Sequence, residues 1–126
     1  MSITLSGRQI HAADRIGGIE LMLPWPTDLR PPDDLDADED RPATPREYAA
    51  AMALVAAACE DHDLVPCRVS AARCARHDGD PPSYWLAVVI IGRRWVHATD
   101  APEARTIWYR AHRRSPLIIP ANRLQS

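Results

Sequence analysis

All three cysteines and two of the five histidines lie within residues 59–77, which read CEDHDLVPCRVSAARCARH. Cys59 with His62, and Cys74 with His77, have the spacing of paired zinc ligands, and zinc binds four such groups tetrahedrally. Residues three apart in a strand point to opposite faces, which disfavours the second pair. We expect no metal and no cofactor. The alternative zinc set is Cys59, His62, Cys74 and His77.

A second group of residues is suited to binding rather than to bond-breaking chemistry. All 15 basic residues are arginine, whose planar guanidinium pairs well with carboxylates and phosphates. Arginine and aromatic side chains dominate hot spots at protein interfaces, and they also contact phosphates and stack on bases. The candidate binding residues near the C-terminal end are Arg93, Arg94, Arg105, Tyr109, His112 and Arg113.

The charge is distributed unevenly along the chain. Residues 1–63 hold 5 arginines against 13 acidic residues, whereas residues 93–126 hold 7 arginines against 2, for a net charge of -2 overall. Such polarity can organise partner binding. The acidic half would repel a polyanion, so we expect a protein partner, with nucleic acid as the alternative.

Helix start signals occur twice. Thr44 and Glu47 form a T-x-x-E capping box with proline at the first helical position, and they predict a helix over residues 45–61. The buried stripe predicted from helical spacing is Tyr48, Met52, Val55, Cys59 and His62, with Ala51 and Ala58 beside them. Nearer the N-terminus, Ser6 and Gln9 could cap a short helix that ends at Gly17 and Gly18, with a hairpin as the competing interpretation.

Three strands and a second helix are expected after the first long helix. A strand is predicted over residues 65–75, and the unbroken apolar run of residues 84–91 indicates a central strand buried on both faces. Gly92 and Arg93 suggest a hairpin turn into a return strand over residues 94–99. A second amphipathic helix should begin near Asp100. Its buried stripe would be Ala104, Ile107, Trp108 and Ala111.

The element order predicts one α+β domain over residues 1–126, with a central helix packed on a three-stranded antiparallel sheet and a second amphipathic helix after it. Residues 24–43 contain five prolines and seven acidic residues, which predicts an exposed acidic loop or linker without regular structure. No signal peptide or membrane-spanning run is evident, so we expect a cytoplasmic protein.

Residues 48–100 resemble the core of transglutaminase-like cysteine hydrolases. In that family an alanine-rich helix leads into a Pro-x-Arg-Val strand, and tryptophans and an aspartate follow. The matching residues here are Pro66, Arg68, Val69, Trp85, Trp95 and Asp100, with Asp100 displaced by one position. The resemblance implies a helix followed by antiparallel strands, and it implies cysteine-dependent hydrolysis or acyl transfer.

The departures from that family concern its chemistry. The family nucleophile stands at the start of the helix, where this chain reads TPREYAA and has no cysteine. The family histidine falls on Ser83. We therefore expect a non-catalytic cytoplasmic protein of the adaptor or inhibitor type that engages a protein partner. A nucleic-acid-binding protein that uses the arginine and aromatic face is the first alternative, and a divergent hydrolase is the second.

Overall fold

The computed structural model describes residues 2–95, and it confirms the mixed α+β class. Its helices are α1 (Gly7–His11), which continues into a π-helical turn (Ala12–Ile16), and α2 (Pro45–Asp61). The strands are β1 (Ile19–Pro24), β2 (Glu39–Pro42), β3 (Leu64–Cys74) and β4 (Ser83–Gly92). They form one antiparallel sheet in the order β1-β4-β3-β2. Among these residues no helix is long and apolar enough to cross a membrane.

The prediction of a three-stranded sheet was wrong in its number of strands. The place beside β4 that was assigned to a return strand is taken by β1, whose Leu21 lies opposite Val88. Arg93–Trp95 forms a 3-10 turn instead of a hairpin, and the Arg93 amide donates a hydrogen bond to the Asp63 carbonyl. Residues 96–99 and the predicted second helix lie outside the described residues. The N-terminal IELML run therefore supplies the neighbour that the apolar β4 requires.

The acidic segment also contains more order than its composition predicted. Residues 39–42 form β2, which pairs with the far side of β3 despite its charge and its proline. Main-chain hydrogen bonds hold this edge, and charged residues and proline are common on edge strands because they block further pairing. Leu35 is only 5% exposed, so the preceding loop is anchored in the core rather than solvated along its whole length.

Both predicted capping boxes are confirmed. In α1 the Gln9 amide donates to Ser6 Oγ at 3.2 Å, and the Ser6 amide donates to Gln9 Oε1 at 2.8 Å. Gly17 ends the following π-helical turn in the left-handed region, with φ 111°. That conformation costs glycine little because it lacks a Cβ atom. The segment is therefore helical, and the competing hairpin interpretation was wrong.

Helix α2 has the predicted bounds, and its buried face follows the predicted stripe except at Tyr48 and His62, which are exposed. Its buried residues include Ala51, Val55, Ala58 and Cys59, which face the sheet, whereas Tyr48 is 49% exposed. The small side chains at the contact let the helix approach the sheet closely.

Arg41 ties β2 to the start of α2. Its Nη1 atom lies 2.7 Å from Glu47 Oε1, and its Nε atom lies 2.7 Å from Asp34 Oδ2. Burial alone would raise the pKa of Glu47, but hydrogen bonds from Arg41 and from the Thr44 amide outweigh it, so the pKa of Glu47 is lowered. One carboxylate therefore completes the helix cap and fixes the edge strand.

We predict that Glu47→Gln lowers the free energy of unfolding by about 2 kcal/mol at neutral pH, since the amide keeps the cap but loses the charged pair. The stability that the carboxylate contributes is complete above its usual pKa of 4.5 and is lost as the pH falls through the lowered folded pKa. Urea unfolding should therefore show the difference between wild type and variant shrinking in acid.

The matched control is Glu60→Gln, which replaces an exposed carboxylate at the other end of the same helix. It should leave stability nearly unchanged, because neutralising a negative charge near a helix C-terminus costs nothing. Equal losses in the two variants, or a Glu47→Gln difference that is constant from pH 7 to pH 3, would contradict the assigned role of Glu47.

Candidate functional site

A cleft of about 390 Å³ lies at the end of the sheet where β1 ends and β4 begins. We call it the hairpin cleft because the turn from β3 to β4 forms one of its walls. Its lining residues are Pro24, Arg76, Asp80, Pro81, Ser83, Tyr84 and Trp85. Pro24 and Trp85 are direct partners across β1 and β4, so strand pairing itself fixes the floor of the cleft.

An aromatic and arginine cluster adjoins the hairpin cleft. The rings of Trp25 and Tyr84 meet edge to face, with centroids 6.1 Å apart and an interplanar angle of 62°. The guanidinium carbon of Arg73 lies 5.5 Å from the centroid of the Tyr84 ring, within the range of a cation–π contact. Arg73 and Tyr84 are cross-strand partners, so the register of β3 and β4 produces this stack.

Hydrogen bonds to main-chain carbonyls hold these side chains in place. Trp25 Nε1 donates to the Leu29 carbonyl at 2.9 Å, and Trp85 Nε1 donates to the Cys74 carbonyl at 3.1 Å. Arg73 Nη1 donates to the Leu35 carbonyl at 3.1 Å. With both indole N–H groups bonded inside the protein, the half-buried tryptophan rings are held in fixed orientations. A rigid surface loses little conformational entropy when a partner binds.

The chemistry of the hairpin cleft is suited to recognition. Exposed Arg76 and Asp80 place one cation and one carboxylate beside the two aromatic rings of Tyr84 and Trp85. A volume of about 390 Å³ lies at the lower end of the range for ligand pockets. The cleft can therefore accept one apolar side chain while the two charged groups pair with polar groups beside it.

Two of the predicted binding residues, Arg93 and Arg94, lie at the opposite end of the sheet. Arg93 Nε lies 2.8 Å from Asp63 Oδ1, and Arg94 Nη2 lies 3.0 Å from Asp14 Oδ2. Both side chains are at least half exposed, so these ion pairs are worth little and can exchange for other anions. The other four candidate residues, Arg105, Tyr109, His112 and Arg113, lie outside the described residues.

The two Cys–His pairs do not come together. Cys59 and His62 precede β3, whereas Cys74 is the last residue of β3 and His77 follows it. The ten-residue rise of the strand that separates the two pairs is roughly 33 Å. Within residues 2–95 there is no group of three or more histidine, cysteine, aspartate or glutamate side chains that could hold a metal ion.

The positions of the nucleophile and the histidine of the transglutaminase-like family hold residues with other roles. Thr44 and Glu47 occupy the helix start as capping residues, and Ser83 lies at the edge of the hairpin cleft. Cys59 lies at the other end of α2, where burial raises its thiol pKa to about 11. A thiol with that pKa is protonated at neutral pH and is a poor nucleophile. Asp100 lies outside the described residues.

Sequence reasoning missed the aromatic and arginine cluster. Trp25 stands in a proline-rich segment that was predicted to be an exposed loop, and Tyr84 was taken as the first residue of a buried strand. A usable signal existed, because tryptophan is highly buried on average and so seldom lies fully exposed in a loop. Nothing in the sequence, however, placed Trp25 beside Tyr84.

The three cysteines should differ sharply in reactivity. Cys67 is exposed at the irregularity of β3 between Pro66 and Arg68, whereas Cys59 is buried with its pKa raised to about 11. We predict that a thiol reagent at pH 8 labels Cys67 rapidly and Cys59 only on unfolding, since only an accessible thiolate reacts. Mass spectrometry of samples taken at successive times measures the extent of labelling at each cysteine. A Cys67→Ser variant should lose the fast phase, and fast labelling of Cys59 in folded protein would contradict the packing of α2.

Comparison with known proteins assigns neither a family nor a function to this chain. No family model matches the chain, and neither the curated proteins nor the solved structures yielded a match. The resemblance of residues 48–100 to transglutaminase-like hydrolases therefore stays a prediction. The function has to be inferred from the residues themselves and from their geometry.

Proposed function

We propose that this is a non-catalytic cytoplasmic protein of the adaptor or inhibitor type that binds a protein partner at the hairpin cleft. The observation that carries the proposal is that Tyr84, which contacts both Trp25 and Arg73, also lines the hairpin cleft together with Trp85 and Arg76. Tryptophan, tyrosine and arginine are the residues enriched at binding hot spots, which cluster around well-packed pockets.

The mode of binding follows from the shape of the site. One apolar side chain of the partner would enter the hairpin cleft and contact Tyr84 and Trp85. Arg76 and Asp80 at the rim would select a partner segment with complementary charges, and such rim charges govern association rate and specificity more than affinity. The proposed partner surface is therefore a short segment with an apolar anchor flanked by charged residues.

Electrostatics supports a protein rather than a nucleic acid as the partner. Residues 2–95 hold 10 arginines against 15 acidic residues, a net charge of -5. Arg41, Arg93 and Arg94 are each paired with carboxylates. Binding to a polyanion depends on uncompensated cations that displace its counterions, so this net negative charge opposes it.

Nucleic-acid binding is the second candidate function, and the exposure of Arg93 and Arg94 favours it. The side chains of Arg93 and Arg94 are 62% and 50% exposed, and they stand next to the arginine-rich residues that follow them in the chain. In this alternative, Arg93 and Arg94 contact phosphates, and Arg105 and Arg113, which were predicted from the sequence alone, add to the binding. The phosphate contacts of Arg93 and Arg94 would lie at the opposite end of the sheet from the hairpin cleft.

We predict that a photo-reactive benzoylphenylalanine at position 83, beside the hairpin cleft, cross-links a protein partner in the cells that make this chain. The same residue at position 48, on the exposed side of α2, serves as the control. Arg76→Glu should weaken binding of the captured partner at least about fivefold, the effect of losing roughly 1 kcal/mol at a hot spot. Arg46→Glu is the matched charge reversal on α2, and it should have no effect.

Three results would overturn the proposal. The first is that position 83 cross-links no protein apart from those that position 48 also cross-links. The second is equal affinity of the Arg76→Glu and Arg46→Glu variants. The third is micromolar or tighter binding of DNA or RNA at about 150 mM salt, where screening is strong, that is lost in an Arg105→Gln/Arg113→Gln variant. That third result would promote the nucleic-acid alternative.

A further inference from the structure

Two charges without ion-pair partners line the hairpin cleft. Among the described residues, neither the Arg76 guanidinium nor the Asp80 carboxylate forms an ion pair, although both belong to the same cleft. Arg41, Arg93 and Arg94, by contrast, each have a carboxylate partner. A cation and a carboxylate that remain separate at one cleft can each receive an opposite charge from a ligand. The cleft is therefore complementary to a segment that carries one acidic and one basic residue.

Rings supply the apolar part of the lining. Two aromatic residues and two prolines are among the seven residues of the cleft, and they are Tyr84, Trp85, Pro24 and Pro81. Aromatic rings present flat apolar faces, and grooves lined by such rings are the surfaces on which proline-rich segments dock. The composition of the lining therefore favours a ring-shaped apolar anchor, such as proline, over a branched aliphatic one.

Contacts with neighbouring residues hold both aromatic rings of the cleft in place. The Arg73 guanidinium carbon lies 5.5 Å from the centroid of the Tyr84 ring, and Trp25 meets the same ring edge to face. The Trp85 indole is fixed by its hydrogen bond to the Cys74 carbonyl at 3.1 Å. The polyproline II helix is also largely preformed before it binds. Docking such a segment on fixed rings therefore costs little conformational entropy on either side.

Other common modes of peptide recognition suit the hairpin cleft less well. Strand addition needs a row of free main-chain groups along a sheet edge, whereas this cleft lies at the end of the sheet and two of its lining residues are prolines, which have no N–H. A docked helix presents anchors at i and i+7, about 10 Å apart. Successive residues of a polyproline II helix rise only about 3 Å. A cleft of about 390 Å³, at the lower end of the range for ligand pockets, accommodates the closer spacing.

We propose that the partner segment at the hairpin cleft is a proline-rich stretch in the polyproline II conformation, with an acidic residue on one side of its prolines and a basic residue on the other. This inference rests on the proposed function and names the chemistry of the partner. The proline rings contact Tyr84 and Trp85, the acidic residue pairs with Arg76, and the basic residue pairs with Asp80. Because proline has no N–H, covering it with rings leaves no main-chain donor unsatisfied.

Synthetic peptides test the inference on the full-length protein. Two of them, with blocked ends, read Ala-Arg-Ala-Pro-Pro-Ala-Glu-Ala and Ala-Glu-Ala-Pro-Pro-Ala-Arg-Ala, so that both chain directions are covered. Their matched controls carry Leu-Leu in place of Pro-Pro, which keeps an apolar anchor but removes the preformed conformation. Each peptide is titrated into nitrogen-15 protein, and nuclear magnetic resonance follows the main-chain amides of Tyr84 and Trp85 and the indole N–H of Trp85.

We expect one of the two proline peptides to shift the Tyr84 and Trp85 signals saturably and to bind at least about fivefold more tightly than its leucine control, a difference of roughly 1 kcal/mol. In the Arg76→Glu variant, which changes an exposed residue, the same peptide with arginine in place of its glutamate should bind more tightly than the original. The Arg46→Glu variant, with a charge reversal on the exposed side of α2, should bind like wild type.

Equal affinity of the proline and leucine peptides would overturn the polyproline II inference and leave the proposed function standing, because an apolar anchor would still bind. Failure of all four peptides to bind would also overturn the inference, and cross-linking from position 83 then tests the proposed function separately. Shifts of the Tyr84 and Trp85 signals that depend on protein concentration in the absence of peptide would replace the inference with a second copy of the chain as the occupant. Circular dichroism establishes that each variant is folded.

Discussion

The strand β4 imposes the constraint on which the rest of the structure depends. Its residues 86–91 are apolar and buried without a polar interruption, so both edges and both faces of the strand must be covered. The edges are covered by β1 and β3, which come from opposite sides of α2 in the chain. The face that carries Leu21, Val88 and Ile90 is covered by α2 and the N-terminal helical segment. The element order and the layering of the molecule both follow from this requirement.

The edge of the sheet is secured by charge rather than by apolar contact. β2 is short and polar, and Arg41 links it to Glu47 at the start of α2. This contact sets where the helix begins over the sheet. It also fixes the loop before β2, whose Leu35 carbonyl accepts a hydrogen bond from Arg73. Arg73 in turn lies over Tyr84, so the same framework positions the aromatic cluster at the proposed binding site.

Local signals predicted the parts of the fold that depend on neighbours in sequence. The capping boxes at Ser6 and Thr44 fixed both helix starts, and the bounds of α2 were correct because cap, proline and helix propensity agree there. β3 and β4 were placed to within one residue. The helical spacing also predicted the buried residues Ala51, Val55, Ala58 and Cys59 of α2, and it was wrong only for Tyr48 and His62, which are exposed.

The features that were not predicted depend on contacts between residues that are far apart in the sequence. The pairing of β1 with β4 joins residues about seventy apart, and composition alone did not choose it over a hairpin. β2 was missed because its acidic residues and proline are atypical of strands, although edge positions tolerate them. The candidate site needs Trp25 and Tyr84 to meet, and that contact exists only once the strand order is fixed.

Native-state amide hydrogen exchange tests most directly the claim that β4 organises the protein. Hydrogen bonds deep in a core exchange only through global unfolding, whereas edge elements open locally. We predict that the amides of Leu86–Ile91 are the most protected within residues 2–95, with an opening free energy equal to that of global unfolding. The amides of β2 should open at lower cost. Protection of β4 no greater than that of β2 would contradict the account.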